Sequence, residues 1–209
     1  MQYSQTVLDH FMHPHNVGKL DNADAEATEG SPACGDQVTM FLKVNPETKV
    51  IEDIKFLSYG CASNIATASI ITDLAKGKTL DEAKQITWQQ AMEELGGLPP
   101  IKVHCAVLAV DTLQSAISNY EIAHGLKEVP NFGKDTIIEE LRKIIYPKVG
   151  EDIVTLKMVK YVGFNDGEVI IDLNLMNFDQ WRDNIAEEIR EHLKKYAEIK
   201  NIQINFPDS

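Results

Sequence analysis

Leu98-Pro99-Pro100-Ile101-Lys102-Val103-His104-Cys105 places a double proline, then an imidazole and a thiol, at the head of a long apolar-periodic stretch. Proline cannot supply the backbone donor a helix interior needs, so the pair forces a break. A helix is expected to start near Val103 and to run to His124, where Gly125 ends it. Val107, Leu108, Leu113, Ala116 and Ile117 are its candidate packing residues. Cys105 then lies at a helix start, where unpaired N–H groups and the positive end of the dipole favour thiolate over thiol.

The other cysteines are Cys34, in Ala33-Cys34-Gly35-Asp36, and Cys61, in Tyr59-Gly60-Cys61-Ala62-Ser63. Three thiols cannot all be paired in a disulfide framework, and their separations of 27 and 44 residues are not those of a short zinc-finger repeat. Any shared site must be assembled by the fold. Cys61 also falls at an expected helix start, since small and aliphatic residues recur at helical spacing from Ser63 to Lys76 before Gly77. Tyr59 and the incoming strand are expected to shield Cys61, leaving Cys105 the more accessible thiol. Gly35, beside Cys34, lets a loop backbone approach an ion.

A lone cysteine in an apolar helix is usually a small core residue. Three of them, with Asp36 and His104 adjacent in sequence, argue instead for a metal or metal–sulfur site. A tetrahedral iron or zinc needs a fourth ligand, and Asp36 and His104 are the candidates. Carboxylate and imidazole are harder, weaker donors than thiolate to iron–sulfide, so such a site would hold a cluster loosely. That suits a protein that gives its cluster away better than an electron carrier. A Cys–His hydrolase is the enzymatic rival. Adjacent helical residues point about a hundred degrees apart, which makes His104 a poor base for Cys105, and no oxyanion motif is visible.

The 209 residues allow one large domain or two small ones, with ordinary globular composition at 44% apolar and 25% charged. The net charge is -12. Nine lysines face 17 acids through residue 128, and 11 bases face 15 acids after it, so both halves are acidic. Acidic surfaces do not neutralise phosphate, which argues against nucleic acid and suits basic partners. Neither a secretory signal nor a membrane-length apolar run is visible, and unpaired thiols suit a reducing compartment; cytoplasmic location is the expectation.

Along the chain, a short N-terminal helix (Val7, Leu8, Phe11) precedes His13-Pro14-His15-Asn16-Val17-Gly18, and a polar stretch leads to Cys34. Val38–Val44 and Val50–Leu57 read as strands across Asn45-Pro46-Glu47-Thr48. Thr79 with Glu82 and Thr87 with Gln90 are capping boxes. After residue 128, Asp135 is expected to cap a helix carrying Ile137, Ile138, Leu141, Ile144 and Ile145. Strands Ile153–Val162 and Glu168–Leu175 flank the hairpin signal Asn165-Asp166-Gly167, and a helix from about Phe178 to Tyr196 leads to a last strand, Ile199–Phe206. That is an α-β-β-α-β order. His10, His13 and His15 read as flexible surface histidines rather than metal ligands. Glu187, Glu188 and Glu191 read as a solvated helix face, and Trp88 and Trp181 as core or interface aromatics.

Ala33-Cys34-Gly35-Asp36, Tyr59-Gly60-Cys61, Lys76-Gly77-Lys78-Thr79-Leu80-Asp81-Glu82-Ala83 and Leu98–Cys105 together resemble the IscU/NifU-type iron–sulfur cluster assembly scaffolds, over residues 1–126. The resemblance implies an α+β fold: an IscU-like domain, an antiparallel sheet packed by helices, at 1–128, then a small α-β-β-α-β domain at 129–209. It implies that Cys34, Cys61 and Cys105 bind a nascent [2Fe–2S] cluster, with Asp36 and His104 as alternating or accessory ligands, and that Cys105 accepts persulfide sulfur from a cysteine desulfurase. Leu98, Pro99, Pro100, Ile101 and Lys102 become the segment that an Hsp70-type chaperone, working with its co-chaperone, grips to promote release to apo iron–sulfur proteins. Ile145-Tyr146-Pro147-Lys148-Val149-Gly150-Glu151-Asp152-Ile153-Val154 with Asn165-Asp166-Gly167 resembles the PaaD-like maturation domain. Its usual cysteine is missing from Met176-Asn177-Phe178-Asp179, so docking or dimerisation is the role expected of this half. The expected protein is a scaffold without turnover chemistry. The alternatives are a zinc-bound sulfur acceptor that stimulates a desulfurase, and an interaction module with structural zinc. Membrane and nucleic acid are not expected partners, and oligomeric state is left open.

Overall fold

A computed structural model describes residues 3–31, 35–128, 132–176 and 179–206. The chain divides into two units, Met1–Val129 and Pro130–Ser209.

In the first unit, α1 (Gln5–Met12) is capped by Ser4, whose Oγ accepts from Val7 N and donates to the Leu95 carbonyl. The strands β1 (Ala25–Ser31), β2 (Asp36–Val44) and β3 (Ile51–Tyr59) form an antiparallel sheet in the order β1-β2-β3. On β2, Val38, Met40, Leu42 and Val44 are buried at every second position, the period of a strand with one face on the core. The helices follow as α2 (Ala62–Ala75), α3 (Leu80–Ala83), α4 (Trp88–Glu94) and α5 (Val103–Ala123), the last preceded by a 3-10 turn at Pro100–Lys102. α5 packs on β1 and β2, α2 packs on β3, and α1 lies on α2.

Because α2 is covered on most sides, Ser63, Asn64, Thr67, Ser69 and Thr72 are buried with Ala66, Ala68 and Ile71. Small hydroxyl residues tolerate this by bonding the backbone. Thr67 Oγ1 reaches the carbonyls of Asn64 (3.0 Å) and Cys105 (3.1 Å), tying α2 to α5, and Thr72 Oγ1 reaches that of Ser69. Phe56, Met40, Ile71, Leu113, Ile117 and Tyr120 are among the largest side chains of this core. Both capping boxes form as expected. The sequence suggests only a polar stretch at β1, because Ala-Glu-Ala-Thr-Glu-Gly-Ser carries little apolar signal. Its pairing to β2, Ala25 opposite Leu42 through Ser31 opposite Asp36, makes it a strand.

The second unit contains α6 (Lys134–Leu141), a two-residue pair β4 (Ile145–Tyr146) and β5 (Glu151–Asp152), then β6 (Val159–Asn165), β7 (Glu168–Leu173), α7 (Arg182–Lys194) and β8 (Asn201–Asn205). The three-stranded sheet runs β6-β7-β8, antiparallel then parallel. Asp166 (φ 48°) and Gly167 (φ 86°) both adopt the left-handed conformation a tight hairpin requires.

Several expectations for this unit need correction. The strand expected from Ile153 begins at Val159, because Asp152 Oδ1 accepts from Val154 N and Thr155 N and curls the chain into a turn. β4 and β5 have no counterpart among the strands expected from sequence. Gly133, not Asp135, caps α6, with Asp135 inside the first turn. α7 starts at Arg182, four residues late, where Asp179 Oδ1 receives Trp181 N (2.9 Å). Glu140, buried on α6, accepts from Tyr196 Oη (2.7 Å) and faces His192, Lys143 and Lys195. Burial opposes its ionisation, yet His192 and the two ammonium groups hold it well below the usual carboxylate range.

Candidate metal–sulfur site

The ends of four segments meet at one end of the first unit's sheet. Asp36 opens β2, Gly60 and Cys61 follow β3, and Lys102, His104 and Cys105 lie on the 3-10 turn and the first turn of α5. Cys61 is the N-cap residue of α2, with extended backbone (φ -75°, ψ 168°) and no side-chain cap bond. Its thiol is therefore left for other partners at the positive end of a buried helix.

Asp36 is the hub. Its carboxylate is buried at 3% exposure. Oδ1 accepts from Cys61 N at 3.0 Å, while Oδ2 lies 3.6 Å from Cys61 Sγ, 3.5 Å from Cys105 Sγ and 3.7 Å from His104 Nε2. The two sulfurs are 3.7 Å apart. Lys102 Nζ stands 3.5 Å from Cys61 Sγ. One ligand atom each of Asp36, His104 and Cys105 falls within a 4.8 Å group. Sulfur, carboxylate and imidazole donors thus converge on one point, a set that suits iron–sulfide or zinc.

The hydrogen bond from Cys105 is the main reason the Cys61 thiol is lowered to about 5. Burial works against this, the Asn64 backbone N–H and the Lys102 charge add to it, and the Asp36 charge opposes it. Burial would discharge Lys102, but the Cys61 and Cys105 sulfurs hold its ammonium on, above the ordinary lysine value.

Two expectations change here. Cys105 is fully buried while Cys61 is partly exposed, and Tyr59, at 73% exposure, points to solvent instead of covering Cys61. The turn of α5 carries Cys105 inward against α2, where Thr67 holds its carbonyl. His104, expected to point away from its neighbour, brings Nε2 to 3.3 Å from Cys105 Sγ, because a long side chain in the first helical turn can fold over the helix end. Cys34 lies outside the described residues; Gly35, next to it, has φ +71°, the left-handed region glycine favours. Of the Leu98–Lys102 segment, Leu98 is buried while Pro100 and Ile101 are exposed.

Sequence reasoning missed Gly60 and Asn64. A Cβ on Gly60 would lie 2.4 Å from Asp36 Oδ1 and 2.7 Å from Asn64 Nδ2. Asn64 is fully buried, donates to Ser58 Oγ (3.0 Å), and among the described residues its Oδ1 meets no hydrogen-bond partner. The glycine before a cysteine was the available signal.

Residues 2–126 match the NifU-like N terminal domain family, and residues 134–206 match a family described as iron–sulfur cluster assembly protein. The chain is 45% identical over 139 residues to the iron–sulfur cluster assembly scaffold protein IscU of Aquifex aeolicus, covering 66% of this chain and 88% of that protein. It is 46% identical over 142 residues to IscU 1 of Archaeoglobus fulgidus (68% and 92% covered). It is 47% identical over 124 residues to IscU of Escherichia coli strain K12 (58% and 95% covered).

Proposed function

The chain belongs, through residues 2–126, to the NifU-like N-terminal domain family, and from that premise we propose that it is a scaffold on which an iron–sulfur cluster is built and then handed on. The observation that carries this reading is the convergence of Cys61, Cys105 and His104 on the buried Asp36 carboxylate. The cluster is cargo. Cys61, Cys105 and Cys34 supply thiolate, while Asp36 or His104 completes the set as the weaker donor that keeps the cargo exchangeable. The [2Fe–2S] form is part of this proposal, with zinc as the resting occupant in the alternative.

Sulfur arrives as a desulfurase persulfide. The thiolate of Cys105 attacks the terminal sulfur, the S–S bond breaks, and the desulfurase leaves as its own thiolate; reduction of the transferred sulfur to sulfide takes two electrons from an external donor. His104, beside Cys105 Sγ, is placed to take the thiol proton. Because Cys105 is buried, this step needs a local opening of the site that admits the persulfide. The exposed Pro100 and Ile101 fit a chaperone grip that promotes release to apo-proteins. A second reading is favoured by the exposure of Cys61 and its low thiol pKa: sulfur lands first on Cys61.

The second unit belongs in this reading as a docking module for the cluster machinery, its family match lying wholly within residues 134–206. Among the described residues no helix is long and apolar enough to cross a membrane; work in the cytoplasm is part of the proposal. Anaerobic reconstitution with iron and sulfide tests the whole. A scaffold develops visible charge-transfer absorption, and a chain that stays colourless while taking up zinc is instead a zinc-bound sulfur acceptor or a structural zinc module.

A further inference from the structure

The histidines near the N-terminus are held in place. His15 Nδ1 is 2.6 Å from Asp73 Oδ2 on α2, and the His15 backbone N–H donates to Ser69 Oγ at 2.9 Å. His10, on α1, places Nδ1 2.8 Å from that same Ser69 Oγ. The His10 and His15 rings are 4.9 Å apart and tilted by 55°. Ser69 and Asp73, four residues apart, share one face of α2. Asn16 completes the arrangement: in the left-handed conformation (φ 55°), it donates from Nδ2 to Asp73 Oδ1 (2.9 Å) and Thr72 Oγ1 (3.0 Å). The loop is also fastened to β3, with Gly18 N bonded to the Phe56 carbonyl and Phe56 N to that of Asn16. His13, though in the same run, is exposed and outside the group.

We propose that His10, His15 and Asp73 form a second binding site for a divalent first-row transition ion, of the zinc or ferrous class. One ligand atom from each already lies within 4.8 Å of the others. Two imidazoles and one carboxylate are a donor set such ions accept, with water filling the open positions. Asn16 on the second carboxylate oxygen and Ser69 on the His10 ring are the outer partners that orient ligands in such sites. The cation takes the place of the proton between His15 Nδ1 and Asp73 Oδ2, and its charge offsets that of the carboxylate. An exposed His–carboxylate pair contributes little to stability, so packing gives no reason to gather two imidazoles there. Cys61 and Asp73 stand at opposite ends of α2, separated by about 18 Å of helix. The inference therefore does not depend on the scaffold reading.

The test is Zn2+ titration, by calorimetry, of the full chain with Cys34, Cys61 and Cys105 replaced by serine. One zinc per chain is expected. His15→Ala and Asp73→Asn should abolish binding, Ser69→Ala should weaken it about tenfold, and His13→Ala should leave it unchanged. In the intact chain, Zn2+ should shift the ring resonances of His10 and His15 but not of His124. Absence of zinc binding without the thiols, or binding that survives His15→Ala, overturns the proposal. So does an intact chain whose His10 and His15 resonances stay put.

Discussion

Gly60 leaves room for Asp36: a single methyl group at residue 60 would stand 2.4 Å from the Asp36 carboxylate. This contact lets the buried acid sit over the helix start and accept the Cys61 backbone N–H. Gly60→Ala should therefore disturb the site before it disturbs the fold. Overpacking of this kind costs about 1–3 kcal/mol, and the larger loss should be in metal uptake. Thermal unfolding and iron–sulfide reconstitution of the variant, side by side, measure the two. A variant that reconstitutes like the parent removes Gly60 from the account.

Asp36 is expected to govern how readily cargo leaves. A hard carboxylate among thiolates is the weak donor, so Asp36→Ala should retain its cluster longer and transfer it more slowly to an apo-ferredoxin. The decay of visible absorption during transfer reads this out. Faster loss in the variant than in the parent would mean that Asp36 holds the cluster instead of loosening it.

The two thiols should separate by chemistry. With its pKa lowered to about 5, Cys61 is expected to react with iodoacetamide at a nearly constant rate from neutrality down to about that pH, and to slow below it as the thiolate is protonated. Cys105, being buried, should alkylate far more slowly in the free protein. With desulfurase and cysteine added, mass spectrometry should find the extra sulfur on Cys105. Sulfur confined to Cys61 would establish the second reading, in which exposure selects the acceptor.

Glu140 makes the second unit pH-dependent. Its folded pKa lies below the unfolded value of 4.5, so its contribution is fully present above about that pH and is lost as pH falls toward the folded value. Glu140→Gln should cost about 1.5–3 kcal/mol near neutrality, the scale of hydrogen bonds to a charged group. The gap between variant and parent should narrow below the unfolded pKa. Urea unfolding at several pH values tests this, and a gap that stays constant would show that charge plays no part.

What could be read from the chain followed strong local signals. Thr79 with Glu82 and Thr87 with Gln90 carry their own capping chemistry, and Asn165-Asp166-Gly167 carries its turn, so these features needed no tertiary knowledge. β1 could not be read because its residues are polar and small; only the partner strand makes Ala25–Ser31 extended. Val159 as a strand start was hidden for a related reason: the Asp152 side chain outcompetes the β propensity of Ile153 and Val154. At the site, residue types disclosed the donors but not their depth. Which thiol faces solvent depends on the phase of α5 against α2, and the Thr67 bond that fixes that phase spans 38 residues. Glu140 was unreadable too, since three of its partners, His192, Lys195 and Tyr196, lie some fifty residues away in sequence.

Asp36, Cys61, His104 and Cys105 all stand where an element begins: a strand's first residue, a helix cap, a helix's first turn. The backbone ladders of β2, β3, α2 and α5 extend away from them into the apolar interior. On the proposed reading, exchange of cargo asks for local opening at these element starts, and the ladders behind them can keep one registry. The part that must open to let cargo pass is therefore short, and the frame that closes it again is long and already hydrogen-bonded.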